Sequence, residues 1–319
     1  MRMLILSLIP MLAVALSPAL VGERPAVGDA AQFRSPSGSY SAKVEYASGN
    51  TEFVPLDRFE LLDRDGKTVF MKTGTRHTVL DISDNGLVVG VDFDGPVSGH
   101  ARLHFYDEQG GERGVAEVGF WGQHGFSADG STYCVLDGKT GLRVFTSGGR
   151  ELYNAGHCNQ FAVSGDGRHV ALAADDAIRL LKDGTLAVSI PLATPFVRAM
   201  DFSSDGGRFG YCERSVLYVH RTEDAVREFE YRPADAKLRF ISLDLGDRLT
   251  IAGLDLDGRR GTPNRHRRGL VVLLDSAGTP VGQQELTYAK WNFTVPEVRF
   301  GAAGTFRVWT AETELEYRY

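Results

Sequence analysis

Short apolar runs recur along this chain, and each ends in a turn of the form Ser-x-Asp-Gly or a variant of it. The residue directly before the turn is nearly always apolar, and the residue two positions earlier usually is as well. This period of two indicates β-strands with one apolar face. A second apolar run follows each turn. The seven copies lie at residues 34–38, 82–86, 126–130, 163–167, 202–206, 243–247 and 300–304, and the last two are degenerate.

The spacing of these turns is close to the roughly 40–45 residues of one four-stranded unit in a repeat protein. In the turn, Asp or Asn caps backbone amides and Gly supplies a positive φ angle. Seven such units predict an all-β fold, a seven-bladed β-propeller of four-stranded antiparallel blades. The inner strand of each blade is expected directly before its turn.

The repeats resemble those of the TolB-type propellers, relatives of the tryptophan-aspartate repeat family, whose blades carry Phe-Ser-Pro-Asp-Gly at the same turn. The resemblance covers the turn and its adjoining strands in five repeats and is weak in the last two. The proline of the pattern occurs once, at Pro36, and the Trp-Asp dipeptide is absent. The resemblance therefore implies the architecture and carries over no functional residue. Members of the family are commonly exported bacterial binding proteins.

The N-terminal residues 1–19 have the pattern of a secretory signal, with Arg2, an apolar run over residues 4–16 and small residues up to Ala19. The run is short for a membrane span, although an uncleaved anchor is the alternative interpretation. No later segment approaches a span. We therefore expect a periplasmic or secreted protein whose residues 20–319 form one propeller domain, with no membrane span in the mature chain.

The last repeat ends before it can supply a fourth strand. An open edge would invite aggregation, and a ring is stabilised by closing on itself. Residues 26–30 are therefore predicted to pair with the last blade as its outermost strand.

The formal charge of −6 argues against a nucleic-acid partner, because phosphate binding needs a basic face. The partner is then expected to be a protein or an anionic or glycan ligand. The protein itself is expected to be a monomer. The three cysteines are expected to be small apolar fillers. Cys134 and Cys212 fall on the same strand of non-neighbouring repeats, so a bond between them is not expected.

Strand direction separates two faces of the predicted ring. The Ser-x-Asp-Gly turns lie on one face, here called the bottom, whereas the links between second and third strands and between blades lie on the other, the top. Residues before the inner strands are expected at the top mouth of the channel, where an aromatic platform and two guanidinium groups would orient an anionic or hydroxyl-rich ligand. The candidate ligand-binding residues are His77, His157, Arg198, Arg239 and Trp291. The alternatives are ordinary solvated loop residues and, for Trp291, a core position.

The predicted blade six carries a long link that is basic in an otherwise acidic chain. This link is a candidate partner-binding loop that attracts anions, and the alternative is a solvated flexible loop. Its arginines are Arg259, Arg260, Arg265, Arg267 and Arg268.

Linear catalytic motifs are absent: the chain has no Gly-x-Ser-x-Gly, His-Glu-x-x-His, Cys-x-x-Cys or phosphate loop. His77, His124 and His157 come from consecutive repeats, but their different depths separate them by about 10 Å along the axis, which is too far for a shared metal. No metal or other cofactor is expected. The favoured function is a non-enzymatic binding or scaffold protein. The rival is a small hydrolase or lyase in the funnel, which would require titratable side chains with shifted pKa values to converge at the channel mouth.

Overall fold

The computed structural model describes residues 31–46, 56–73, 78–93, 100–119, 121–235, 238–246, 250–255, 266–292, 297–300, 304–309 and 314–318. All regular structure in these ranges is β-strand, arranged in seven antiparallel sheets. Among these residues, no helix has the length and apolar character needed to cross a membrane. The predicted all-β, seven-bladed propeller is confirmed.

Each of the first six blades is a meander of four strands, and three strands of the seventh are described. Blades one to three contain β1 (Ala31–Arg34), β2 (Tyr40–Tyr46), β3 (Leu56–Asp63), β4 (Thr68–Thr73), β5 (Thr78–Ile82), β6 (Val88–Phe93), β7 (His100–Tyr106), β8 (Glu112–Gly119), β9 (Trp121–Phe126), β10 (Thr132–Asp137), β11 (Gly141–Thr146) and β12 (Glu151–Gly156). Blades four to seven contain β13 (Gln160–Val163), β14 (His169–Ala174), β15 (Ala177–Lys182), β16 (Thr185–Pro191), β17 (Val197–Phe202), β18 (Arg208–Glu213), β19 (Val216–Arg221), β20 (Arg227–Tyr231), β21 (Arg239–Leu245), β22 (Thr250–Asp255), β23 (His266–Leu274), β24 (Pro280–Asn292), β25 (Glu297–Phe300), β26 (Thr305–Trp309) and β27 (Glu314–Arg318).

The first strand of each blade is its inner strand. β1 contacts β5, and the contacts continue through β9, β13, β17 and β21 to β25. Each of these strands ends directly before a bottom turn, as the repeat predicts. The inner strands therefore follow one another around the axis, with the bottom turns at one end and the top links at the other.

The recurring hydrogen bonds of the bottom turn are seen in blade three. The Ser127 hydroxyl donates to Asp129 Oδ1 (2.7 Å) and accepts the N–H of Thr132 (3.0 Å). Gly130 has a φ of 68°, which favours glycine. Blades four and five repeat the serine-to-aspartate bond at Ser164 and Ser203. Each side chain thus satisfies turn amides that strand pairing leaves open.

Blade six departs from the predicted repeat frame. The sequence pattern placed Asp244 at the serine position, but β21 continues to Leu245, which pairs with Thr250 as Phe202 pairs with Phe209 in blade five. The prediction was therefore wrong by two residues, because this turn lacks the serine that marks the others. Asp244 is equivalent to Asp201.

The core consists of apolar clusters between blades. One cluster joins each consecutive pair from blades one and two to blades six and seven. The largest fully buried side chains include Tyr133, Phe59 and Phe105. Burial between sheets holds neighbouring blades at a fixed distance, so groups on adjacent inner strands keep a defined geometry.

Several other predictions concern the links and the termini. The top links of blades three to five are tight, as expected: residues 138–140, 175–176 and 214–215 separate their second and third strands. Residues 1–19 and 26–30 lie outside the described residues, so the signal and the closing strand stay predictions.

Cys134 and Cys212 are free and buried on the second strands of blades three and five, and the free Cys158 packs against the same cluster as Cys134.

Candidate functional site: the top face of blades five and six

Two predicted ligand-binding residues lie on neighbouring inner strands. Arg198 is the second residue of β17 and is exposed, whereas Arg239 begins β21 and is half-buried. Since β17 and β21 are in contact, both guanidinium groups belong to the top end of blades five and six. His157 is exposed in the link between blades three and four, and His77 lies outside the described residues.

Trp291 and the basic link differ from the expected layout. Trp291 lies in β24, the outermost strand of blade six, rather than directly before inner strand β25. Arg267 and Arg268 belong to β23, so the link is shorter than predicted. Arg259, Arg260 and Arg265 lie outside the described residues. Nevertheless, β22 ends and β23 begins at the top, so this basic stretch of sequence joins the same end of blade six.

The most exposed large apolar side chain of this region was not predicted from the sequence. Phe196 is 58% exposed and lies in the link between β16 and β17, two residues before Arg198. The link is anchored on both sides of it, because Thr194 and Val197 are each only 9% exposed. Pro195, between Thr194 and Phe196, restricts the backbone further. The backbone on both sides of Phe196 is therefore held in place while its side chain is exposed to solvent.

The link that carries Phe196 is held by Glu213, a buried residue at the top end of β18. Its Oε1 accepts the backbone N–H of Thr194 (2.5 Å) and the Thr194 hydroxyl (3.1 Å). The start of the link is held by a second bond, from the Leu192 N–H to the Asp176 carbonyl (2.7 Å). The Glu213 bonds join the link to β18, and the Leu192 bond joins it to the top link of blade four, so the backbone around Phe196 is held at both ends.

Several arginines lie at the same top end of the fold as Phe196. Arg214 follows Glu213 directly and is exposed, with a φ of 55° in the two-residue link to β19. Arg232, 61% exposed, follows β20 and pairs with Glu230. We call Phe196 with Arg198, Arg214 and Arg239 the top platform. Because these residues share the top end of the fold, the platform offers one exposed aromatic side chain together with three arginines.

Titratable side chains also converge lower on the inner strands. The Asp201 carboxylate accepts the N–H of Leu245 (3.0 Å), and the Asp244 carboxylate accepts the N–H of Phe300 (2.6 Å). Both aspartates lie two residues before the bottom turn of their blade, away from the top mouth. Their bonds join inner strands, which is an architectural role and not the geometry that a funnel enzyme would require.

The histidines do not form a metal site in the described ranges. His124 is packed between blades, as predicted, with a side chain 1% exposed and its Nδ1 3.4 Å from Asp81 Oδ2. No cluster of three or more histidine, cysteine, aspartate or glutamate side chains with metal-binding geometry occurs among the residues that the structure describes. His77 is not among them.

Comparison with known proteins supports the fold. No family model and no curated protein matches this chain. Among solved structures, KlHsv2 with loop 6CD replaced by a Gly-Ser linker has a TM-score of 0.61 at 10% identity, covering 88% of each chain. The β-propeller domain of Myceliophteria thermophila Cps50 (Swd1) has a TM-score of 0.58 at 9% identity, covering 93% of this chain and 99% of that one. These neighbours are WD40-type propellers, so the propeller architecture is confirmed, whereas the finer TolB-type resemblance stays a prediction.

Proposed function

We propose that this chain is an exported, non-enzymatic binding or scaffold propeller whose partner docks on the top platform. The observation that carries the proposal is the exposure of Phe196. Its side chain is 58% exposed, although Thr194 and Val197 on either side of it are buried and Thr194 is bonded to Glu213. Burying an aromatic side chain in an interface contributes strongly to affinity, and a rigid support lowers the entropic cost of binding. Export is supported by the signal pattern of residues 1–19.

The partner that fits the platform is an acidic segment of another protein that also carries an apolar side chain. Arg198, Arg214 and Arg239 favour carboxylates, while Phe196 needs an apolar surface to cover it. The basic stretch between β22 and β23 would extend the attraction for anions. An anionic glycan shares the charge of such a segment but lacks its aliphatic or aromatic side chain.

The rival function, a small hydrolase or lyase, has less support. It calls for ionisable groups that meet at the top mouth and are available to a substrate. Asp201 and Asp244, two carboxylates whose charges interact, lie toward the bottom and accept backbone N–H groups.

The test is fluorescence anisotropy with labelled peptides on the full chain. One probe is a short glutamate-rich peptide with a central phenylalanine, and its matched control has alanine there. We expect the phenylalanine peptide to bind about tenfold more tightly. Both affinities should fall as salt rises, because the screening length shrinks from about 10 Å at 0.1 M to about 3 Å at 1 M.

Three outcomes would contradict the proposal. Equal binding of the two peptides would remove Phe196 as the apolar anchor. Binding of polygalacturonate in preference to both peptides would replace the protein partner with an anionic glycan. Salt-independent binding would rule out the arginines as a source of affinity.

A further inference from the structure

Three inner strands carry an aspartate at the same position, two residues before the bottom turn. They are Asp81 on β5, Asp201 on β17 and Asp244 on β21. Each carboxylate reaches the next blade: Asp81 approaches His124, Asp201 bonds the N–H of Leu245, and Asp244 bonds that of Phe300. The equivalent position in blade seven holds Arg299.

The two later aspartates differ from Asp81 because they act on each other. Leu245, whose N–H bonds Asp201, is the residue after Asp244, so the two side chains occupy adjacent blades at one level. Their charges interact unfavourably, and Arg299 interacts favourably with Asp201. Full ionisation of two neighbouring carboxyl groups costs free energy, because their negative charges repel each other. A shared proton or a nearby cation lowers this cost. Beside them, Ser242 Oγ accepts the N–H of Val298 (2.9 Å), which ties blades six and seven at the next level.

We propose that Asp201, Asp244 and Arg299 form a proton-dependent clasp that joins the inner strands of blades five, six and seven. When one carboxyl is protonated, the pair carries a single negative charge opposite Arg299, and both backbone bonds to the next blade persist. When both carboxyls ionise, repulsion between them opposes the close approach of β17 and β21. The ring is then weakest along these two junctions.

Few other charged groups lie on the described strands that pack against Asp201. β13, which also packs on β17, has no ionisable residue. On β18, Arg208 pairs with Glu228 and Glu213 bonds Thr194. The other charged residues of β21 and β25, Arg239 and Glu297, begin their strands at the top end. Asp244 and Arg299 are the two charged groups that shift the pKa of Asp201, in addition to burial and two backbone N–H groups.

The direction of the pH dependence follows from Asp201. Burial, followed by the charge of Asp244, raises the pKa of Asp201 to about 8, against the opposing effects of Arg299 and two backbone N–H groups. Part of the Asp201 residue is accessible to solvent, but its carboxyl group is closely surrounded by protein atoms. Burial is therefore the largest cause of its raised pKa. The unfolded chain has the ordinary value near 3.9. The folded state therefore binds more protons between these values. The contribution of Asp201 to the free energy of unfolding is therefore fully present below about pH 4, and it is lost as the pH rises through about 8.

The experiment compares melting temperatures of the full chain across this pH range. The variants are Asp201→Asn, which keeps an oxygen for the Leu245 N–H but cannot ionise, and Asp81→Asn, the matched control at the same position of blade two. We expect the wild-type protein and Asp81→Asn to lose melting temperature together toward alkaline pH. Asp201→Asn should lose clearly less over the same range. An equal alkaline loss in Asp201→Asn would overturn the clasp.

A second measurement keeps the test decisive if Asp201→Asn fails to fold. Wild-type protein labelled with carbon-13 at aspartate carboxyls is titrated by NMR. The clasp requires one aspartate signal that titrates near pH 8, far above the ordinary range near 3.9, and that shifts in Asp244→Asn. If all aspartate signals titrate in the ordinary range, the clasp does not exist.

Discussion

Replacing Phe196 with glutamate is expected to weaken binding of the phenylalanine-bearing acidic peptide by roughly 100-fold, the effect of losing one dominant interface residue. The substitution removes the apolar centre of the top platform and places a negative charge among the arginines that would attract the peptide. Because the side chain is 58% exposed, the fold should tolerate the change. Anisotropy titration measures the affinity, and thermal melting checks the fold.

The matched control is Leu186→Glu. Leu186 is 55% exposed, nearly as much as Phe196, but it lies on β16, the outermost strand of blade four. This variant makes the same kind of chemical change away from the platform, so its affinity should equal that of the wild-type protein. Equal losses in both variants would mean that net charge, and not the platform, controls binding.

Replacing Asp137 with alanine is expected to destabilise the protein by about 1–3 kcal/mol, because it leaves one buried and two part-buried N–H groups without their acceptor. Asp137 ends β10 and is 2% exposed. Its carboxylate accepts the N–H of Gly119 in blade two (2.8 Å), of Lys139 (2.8 Å) and of Thr140 (3.2 Å). One side chain thus joins two blades and orders a top link. Urea unfolding measures the change.

The pH dependence of this site has the opposite sign to that of the clasp. Burial alone would raise the pKa of Asp137, but three N–H donors and Arg143 hold it below its ordinary value. Its stabilisation is therefore present above the unfolded value near 3.9 and is lost as pH falls through the lower folded value. Asp137→Asn, which retains one acceptor oxygen, should lose less stability than Asp137→Ala. A loss below about 1 kcal/mol for the alanine variant would contradict the account.

The sequence pattern was sufficient for the architecture because the bottom turn is local chemistry. Ser127, Asp129 and Gly130 bond within one turn, so their types and spacing mark it wherever it occurs. The degenerate turn after Leu245 lacks that local signal, and the frame of blade six was misplaced for this reason. With the frame corrected, the aspartates two residues before the turns in blades two, five and six form one pattern.

The site could be predicted only in part, because it depends on contacts between distant residues. Arg198 and Arg239 were found from their places before inner strands. Phe196 was missed because an apolar residue beside a strand is typical of core. Its exposure follows from the bond between Thr194 and Glu213, which are 19 residues apart in the chain. The signal in the sequence was Pro195 followed by an aromatic residue two positions before an arginine.

Site-specific photo-crosslinking in the parent cell tests the central claim most directly, namely that a protein partner docks on the top platform. A photoreactive benzoylphenylalanine replaces Phe196 in one strain and Leu186 in another, and adducts are resolved by gel electrophoresis and mass spectrometry. We expect a light-dependent adduct with a protein at position 196, an acidic segment at the crosslinked site, and no such adduct at position 186. The same adduct from both positions, or none at position 196, would contradict it.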